Sequence, residues 1–114
     1  MDIGAARTGI AVSDEMKLTA RPVETVSTPE LPTRLAALLQ EFDTSQVVVG
    51  RPRSLDGSLN RQAEAVDAQV ERLKIAAPAS YSYEDETATT VEATGGTDEE
   101  AARVMLQGYL DEHR

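Results

Sequence analysis

Cysteine and tryptophan are absent from this chain, histidine occurs once, and the remaining rings are Phe42, Tyr81, Tyr83 and Tyr109. Without cysteine there is no disulfide, no thiolate nucleophile and no zinc–thiolate site. So few rings leave little material for a base-stacking platform, in which each ring contributes about 1–3 kcal/mol per base. Ser13, Ser54 and Thr90 have no histidine near them, and His113 stands alone near the C-terminus. A serine–histidine–aspartate triad is therefore excluded, and His113 is assigned no role. No apolar run approaches the roughly 20 residues of a membrane span, and no signal-peptide pattern opens the chain. The expectation is a soluble, cytoplasmic protein with no membrane partner. Positive charge is scarce too: 11 Lys and Arg face 20 Asp and Glu, a net charge of −9. That excess repels phosphate backbones at long range. A nucleic-acid reading then needs basic side chains gathered at one place, or divalent cations bridging carboxylates to phosphates.

The 114 residues suit a single domain spanning 1–114, with 40% apolar residues for one core. Met1–Gly4 reads as the end of a strand and Gly4–Arg7 as a tight hairpin turn. Thr8–Ser13 and Val23–Ser27 read as further strands. Pro29, Pro32 and Glu30 open a helix whose Leu31, Leu35, Leu38, Leu39 and Phe42 share a face. Val47–Val49 forms a short apolar run suited to a central strand covered on both sides. Arg51–Ser58 contains Pro52 and Asp56-Gly57 and predicts a loop. Leu59, Ala63, Val66, Val70 and Leu73 define the next helix, and Tyr81–Glu84 a fifth strand leading into Asp85-Glu86. After a short helical stub at Thr90–Ala93 and the Gly95-Gly96 break, the last helix starts at Asp98. Thr97 and Glu100 have the spacing of a capping box, and Ala102, Leu106, Tyr109 and Leu110 supply the buried side. This order of elements is α/β with a mixed sheet. Leu35, Leu38, Leu39, Val48, Val66, Val70, Leu106 and Leu110 are the expected core.

Four carboxylates stand at element ends: Asp2 after the first strand, Asp85 and Glu86 after the fifth, and Asp98 at the last helix. Strand ends and nearby helix termini are where α/β sheets collect ligands. Carboxylates brought together repel unless a cation neutralises them, and magnesium favours one or two carboxylates plus water and phosphate oxygens. The same acids also suit plain surface or capping roles, since an acid in a helix's first turn is favoured by about 0.3–1 kcal/mol. Arg7, Arg51 and Arg53 are the candidates for phosphate contacts, because guanidinium forks match phosphate oxygens. Gly4 and Gly9 suit either close approach of a phosphate or a tight hairpin.

Taken together, the motifs resemble one family. Asp2-Ile3-Gly4-Ala5-Ala6-Arg7-Thr8-Gly9-Ile10-Ala11-Val12-Ser13-Asp14 is similar to the opening signature of the YqgF/RuvX family. Arg21-Pro22-Val23-Glu24-Thr25, Val47-Val48-Val49-Gly50-Arg51-Pro52 with Asp56-Gly57, Asp85-Glu86-Thr87-Ala88-Thr89-Thr90, and Asp98 through Asp111 resemble its later landmarks, in order. The resemblance implies a ribonuclease H-like fold, with a mixed five-stranded sheet flanked by helices. It implies maturation of the 5′ end of 16S rRNA in ribosome biogenesis by a nuclease using Mg²⁺ or Mn²⁺. Asp2, Glu86 and Asp98 would be catalytic, and Asp2, Asp85, Glu86 and Asp98 would hold the metal. Its partners would be structured precursor rRNA and the ribosomal subunit precursor, and the protein a monomer or weak homodimer. Three departures stand out. The first strand is shorter than the family's, Thr87 replaces an arginine, and only Thr94-Gly95-Gly96-Thr97 separates Ala93 from Asp98, where a helix and a basic loop are usual.

Other readings differ in substrate or in having no chemistry at all. A Holliday-junction resolvase would use the same fold and metal on four-way DNA. A non-catalytic RNA- or ribosome-binding module would keep the fold without the reaction. Sugar kinases and actin-like ATPases carry a similar Asp-x-Gly hairpin, but they need two lobes and this chain is long enough for one.

Overall fold

β-Branched and alternating segments become strands here, and the turns between them use the residues that turn geometry demands. A computed structural model describes residues 1–52, 61–86 and 97–113, and side chains at 51, 52, 61, 62, 85 and 86 lie outside that description. β1 is Asp2–Ile3, β2 Arg7–Ser13 and β3 Ala20–Ser27. They form an antiparallel sheet in the order β1-β2-β3. The Gly4 N–H donates to the Arg7 carbonyl at 2.9 Å and closes the first hairpin. A Cβ at Gly4 would lie 2.6 Å from that same oxygen, so the turn needs glycine. β4, Gln46–Pro52, pairs in parallel with β5, Ser80–Glu86, from Gln46↔Ser80 to Pro52↔Glu86.

Met1 joins the two sheets. Its ammonium donates to the Val48 carbonyl at 2.8 Å, and the Gly50 N–H donates to the Met1 carbonyl at 2.9 Å. Two bonds straddling Val49 have the pattern of one rung in a parallel ladder.

A 3₁₀ turn at Thr28–Glu30 precedes α1, Leu31–Glu41. Then come α2, Arg61–Ala76, and α3, Asp98–Glu112. Strand alternation sorts the valines of β4. Val47 and Val49 join Met1, Ile3, Leu35, Leu38, Val66 and Val70 in one core cluster. Val48 joins Met105, Leu106 and Leu110 in a second cluster under α3. β4 is thus covered on both faces, as its continuous apolar run implies. Leu31, Val70 and Leu73 are wholly buried, each contributing about 1.5–3 kcal/mol. Among the described residues no helix is long and apolar enough to cross a membrane.

Several boundaries move. β2 begins at Arg7, so this arginine belongs to the strand rather than the turn. β3 begins at Ala20 and carries Pro22, which an edge strand tolerates. β4 continues through Arg51 and Pro52, where a loop is expected from the proline; a strand's last residue can be proline without losing ladder bonds on both sides. β5 runs to Glu86, so Asp85 and Glu86 are inside the strand. Leu39 is half-buried against the core rather than within it. Leu59, the rest of the 53–60 loop, the Thr90–Ala93 stub and the Gly95-Gly96 break lie outside the described residues.

Candidate active site

Register across the first sheet brings the candidate residues into rows. Asp2 pairs with Gly9, and Gly9 pairs with Thr25. Arg7, two residues before Gly9, has the same strand parity and pairs with Ser27. α3 packs across β2 and β3, and its first turn lies on the Asp2–Gly9–Thr25 row. The approach is close. A Cβ at Gly9 would stand 1.8 Å from the Asp98 carbonyl oxygen and 2.8 Å from the Glu99 nitrogen. Gly9 lies within β2 rather than in the hairpin turn, and its bare backbone is the seat on which the helix start rests.

That seating fixes three polar contacts. Arg7 Nε lies 3.1 Å from Asp98 Oδ2, with the arginine side chain 70% exposed and the aspartate 35%. The Thr25 hydroxyl donates to Glu99 Oε2. This hydroxyl, followed by the Glu99 backbone amide and Thr97, holds the Glu99 carboxyl below its ordinary value. The Thr97 hydroxyl accepts from the Glu100 N–H at 3.3 Å and caps the helix. Only that half of the expected capping box forms, because the Glu100 carboxylate turns to Arg103, with Nε at 2.6 Å. Arg7, Thr25, Thr97, Asp98 and Glu99 line an open cleft on the surface.

Below the cleft, the Gly4 hairpin is held by two buried threonines. Thr28 Oγ1 donates to the Gly4 carbonyl at 2.8 Å. Its single proton is then committed, so Thr8 is the donor in the 2.9 Å bond between the two hydroxyls. The Thr28 N–H also donates to the Ala6 carbonyl at 3.0 Å. This anchoring holds the turn that carries Asp2 into line with Gly9.

Of the predicted acids, Asp2 and Asp98 are therefore brought to the same part of the sheet, Asp2 half-buried on β1 and Asp98 over its ladder partner. Asp85 and Glu86 end β5 opposite Arg51 and Pro52. Their side chains, that of Arg51, and the whole of Arg53 and Thr87 fall outside the described residues. Among the described residues no three acidic, histidine or cysteine side chains form a group able to hold a metal. Sequence reasoning passed over Thr25 and Glu99. Glu99 carried a signal in its place beside Asp98 in the first turn, and Thr25 one in closing the Arg21–Thr25 motif, though neither was given a site role. His113 stacks on Tyr109 at 4.0 Å, away from this cleft.

Residues 1–112 match the family described as RuvX, Holliday junction resolvase. The chain belongs to the RuvX family. Among similar proteins, one from Fusobacterium nucleatum is 38% identical over 97% of this chain and 94% of its own length. A second from Rubrobacter xylanophilus is 37% identical over 97% of this chain and 89% of its own length. A third from Mycolicibacterium smegmatis is 35% identical over the full chain and 79% of its own length. All three carry the name "Putative pre-16S rRNA nuclease". The RuvX match spans both halves of the cleft, from the β1–β2 hairpin to α3.

Proposed function

We propose that this RuvX chain is a divalent-metal-dependent nuclease that cleaves precursor 16S rRNA near its 5′ end. The observation that carries the reading is the close seating of α3 on Gly9. It brings the Asp98 carboxylate and the Arg7 guanidinium to the strand row that holds Asp2. The names of the relatives supply the substrate class.

On this reading the five strands act as one ribonuclease H-like sheet in the order β3-β2-β1-β4-β5, joined through the Met1 rung. Met1 stands beside Val49, so Asp2 is level with Gly50 and its partner Glu84, and Glu86 lies two residues further along β5. Asp2 and Asp98 offer hard oxygen donors of the kind Mg²⁺ and Mn²⁺ prefer. They would hold the metal together with Glu86, with Asp85 beside it. When bound, such ions supply an activated water and stabilise the leaving oxygen. Arg7 supplies the fork that orients a phosphate at the cleft, and it already holds the Asp98 carboxylate in place. Arg51 and Arg53 would extend the phosphate track from β4. With −9 overall, these local cations and the bound metal must offset repulsion of the RNA.

The family description favours a second reading, cleavage of four-way DNA junctions on the same site. One assay separates them. Wild type, Asp2→Asn and Asp98→Asn are incubated with a precursor 16S rRNA fragment and with a four-way DNA junction, each with Mg²⁺, Mn²⁺ or chelator. The nuclease reading expects metal-dependent RNA cleavage that both substitutions abolish. Cutting of the junction alone transfers the function to DNA. RNA binding without cleavage in any metal would leave a binding module and overturn the proposal.

A further inference from the structure

The hydrogen bonds around the cleft leave it rich in acceptors and poor in donors. Thr25 gives its single hydroxyl proton to the Glu99 carboxylate. The Thr97 hydroxyl and the Glu99 backbone amide also donate to that carboxylate. The Glu100 amide donates to Thr97 Oγ1 at 3.3 Å, and the Ala101 amide to the Thr97 carbonyl at 3.0 Å. These first-turn amides are committed within the helix start and do not reach out for an anion. Among the described lining residues, Arg7 is the cation and the side-chain donor left for a ligand. Glu99 is its counterpart. A carboxylate is ionised at neutral pH and can only accept. Its two oxygens offer about four lone-pair sites. The donors from Thr25, Thr97 and its own amide use three of them, so one remains on a half-buried side chain that lines the open cleft. Register sets the spacing. Arg7 pairs with Ser27, and Thr25 lies two residues back on that strand, so Arg7 and Thr25 are diagonal neighbours on one face. Such neighbours stand about 7–8 Å apart, room for one phosphate and the sugar joined to it.

We infer that Glu99 is a specificity-determining residue, whose carboxylate accepts a hydrogen bond from a ribose 2′-hydroxyl while Arg7 holds the adjacent phosphate. This deepens the nuclease reading and rests on it, since it takes the cleft as the place where the nucleic-acid backbone lies. The selection follows from donors and acceptors. Phosphate, ester and sugar-ring oxygens are all acceptors. A DNA backbone therefore carries no donor between its ends, whereas an RNA backbone carries one per nucleotide, the 2′-hydroxyl. A cleft with one cationic fork and a spare anionic acceptor matches a phosphate with a donor beside it, and of the two backbones RNA alone provides both. DNA would set the Glu99 charge against a C–H group and a like-charged phosphate. Asp98 is not the acceptor, because Arg7 Nε lies 3.1 Å from its Oδ2 and offsets its charge. Thr25 acts through Glu99 as a positioning residue, tying Oε2 to β3 and so fixing where the remaining acceptor site stands.

The probe is a fluorescent RNA hairpin, compared with its all-2′-fluoro counterpart and with the DNA hairpin of the same sequence. The 2′-fluoro chain keeps the A-form helix but lacks the O–H donor, so shape and donor are separated. Affinities are read by anisotropy in Ca²⁺ for wild type, Glu99→Ala, Glu99→Gln, Thr25→Val and Thr25→Ser, together with the melting temperature of each. Wild type should favour RNA over 2′-fluoro RNA by about tenfold, as one hydrogen bond to a charged group gives. Glu99→Ala should lose this preference without weaker binding of 2′-fluoro RNA, because removing a negative charge costs no phosphate affinity. Glu99→Gln keeps an acceptor and should retain part of the preference. Thr25→Val should reduce it, and Thr25→Ser, which keeps the hydroxyl, should preserve it. A merely structural role would instead lower the melting temperature and weaken both chains alike, and would overturn the inference. So would absence of RNA binding, equal affinity of wild type for RNA and 2′-fluoro RNA, a preference for DNA, or a preference that survives Glu99→Ala. Binding and cleavage separate the two readings. Discrimination that depends on Glu99, with no cleavage in any metal, would support the contact and remove the nuclease. Metal-dependent RNA cleavage without discrimination would keep the nuclease and remove the contact.

Discussion

The carbonyl oxygen of Asp98 lies 1.8 Å from where a Cβ on Gly9 would stand. The obstacle is backbone, so it cannot rotate away as a flexible side chain would. Gly9→Ala must therefore lift the first turn of α3 from β2 and break the alignment of Arg7, Thr25, Asp98 and Glu99. A cost at or above the usual 1–3 kcal/mol of overpacking is expected, read as a lower melting temperature. Unchanged stability would mean that the helix start is seated elsewhere.

Arg7 offers a contrast, because its ion pair with Asp98 is largely exposed. Arg7→Gln should change stability by less than about 1 kcal/mol. If the arginine meets phosphate, RNA affinity should nevertheless fall, and the salt dependence of binding should lose about one unit of slope. Denaturant unfolding and binding titrations at several salt concentrations check the two halves. An affinity and salt slope unaltered by the substitution would remove Arg7 from the phosphate track.

Thr28→Val tests the anchoring of the hairpin. It strips the Gly4 carbonyl and the buried Thr8 hydroxyl of a common partner. Leaving such groups unsatisfied costs about 1–3 kcal/mol, whereas Thr8→Val, which leaves the Thr28–Gly4 bond in place, should cost about 1 kcal/mol. Equilibrium unfolding of both variants should reproduce that order.

Tyr81 governs the alkaline limit. Its hydroxyl donates to the Ala77 carbonyl at 2.6 Å and the Leu73 carbonyl at 3.3 Å at the end of α2, and burial raises its pKa above the model-compound value of 10.0. The folded state therefore holds the phenol proton more tightly than the unfolded chain does. The stabilisation is complete below pH 10 and is lost as pH rises through the folded value. Tyr81→Phe should be less stable at neutral pH by about 1 kcal/mol and show a weaker fall in stability as pH rises above 10. A parallel alkaline decline in both proteins would assign the effect to another group.

Local pattern sufficed for much of the molecule, and its failures have particular causes. The spacing of Leu35 and Leu38, of Val66 and Val70, and of Leu106 and Leu110 specified helix faces, because a 3.6-residue period is written into the chain itself. The Val47–Val49 run likewise implied a strand covered on both sides. Element ends were less legible. Pro52 and Pro22 argued for breaks, yet strand pairing carried β4 and β3 through them, since a ladder bond depends on the neighbouring strand and not on the residue alone. Asp2 and Asp98 were legible as candidates from their positions, but nothing local says that two acids at opposite ends of the chain share one part of the sheet. Tertiary structure decided that through Gly9, whose missing side chain lets a helix backbone lie against β2. It also decided the roles of Thr25 and Glu99, and of the Thr8–Thr28 pair, because a hydroxyl acquires a partner only once distant segments meet.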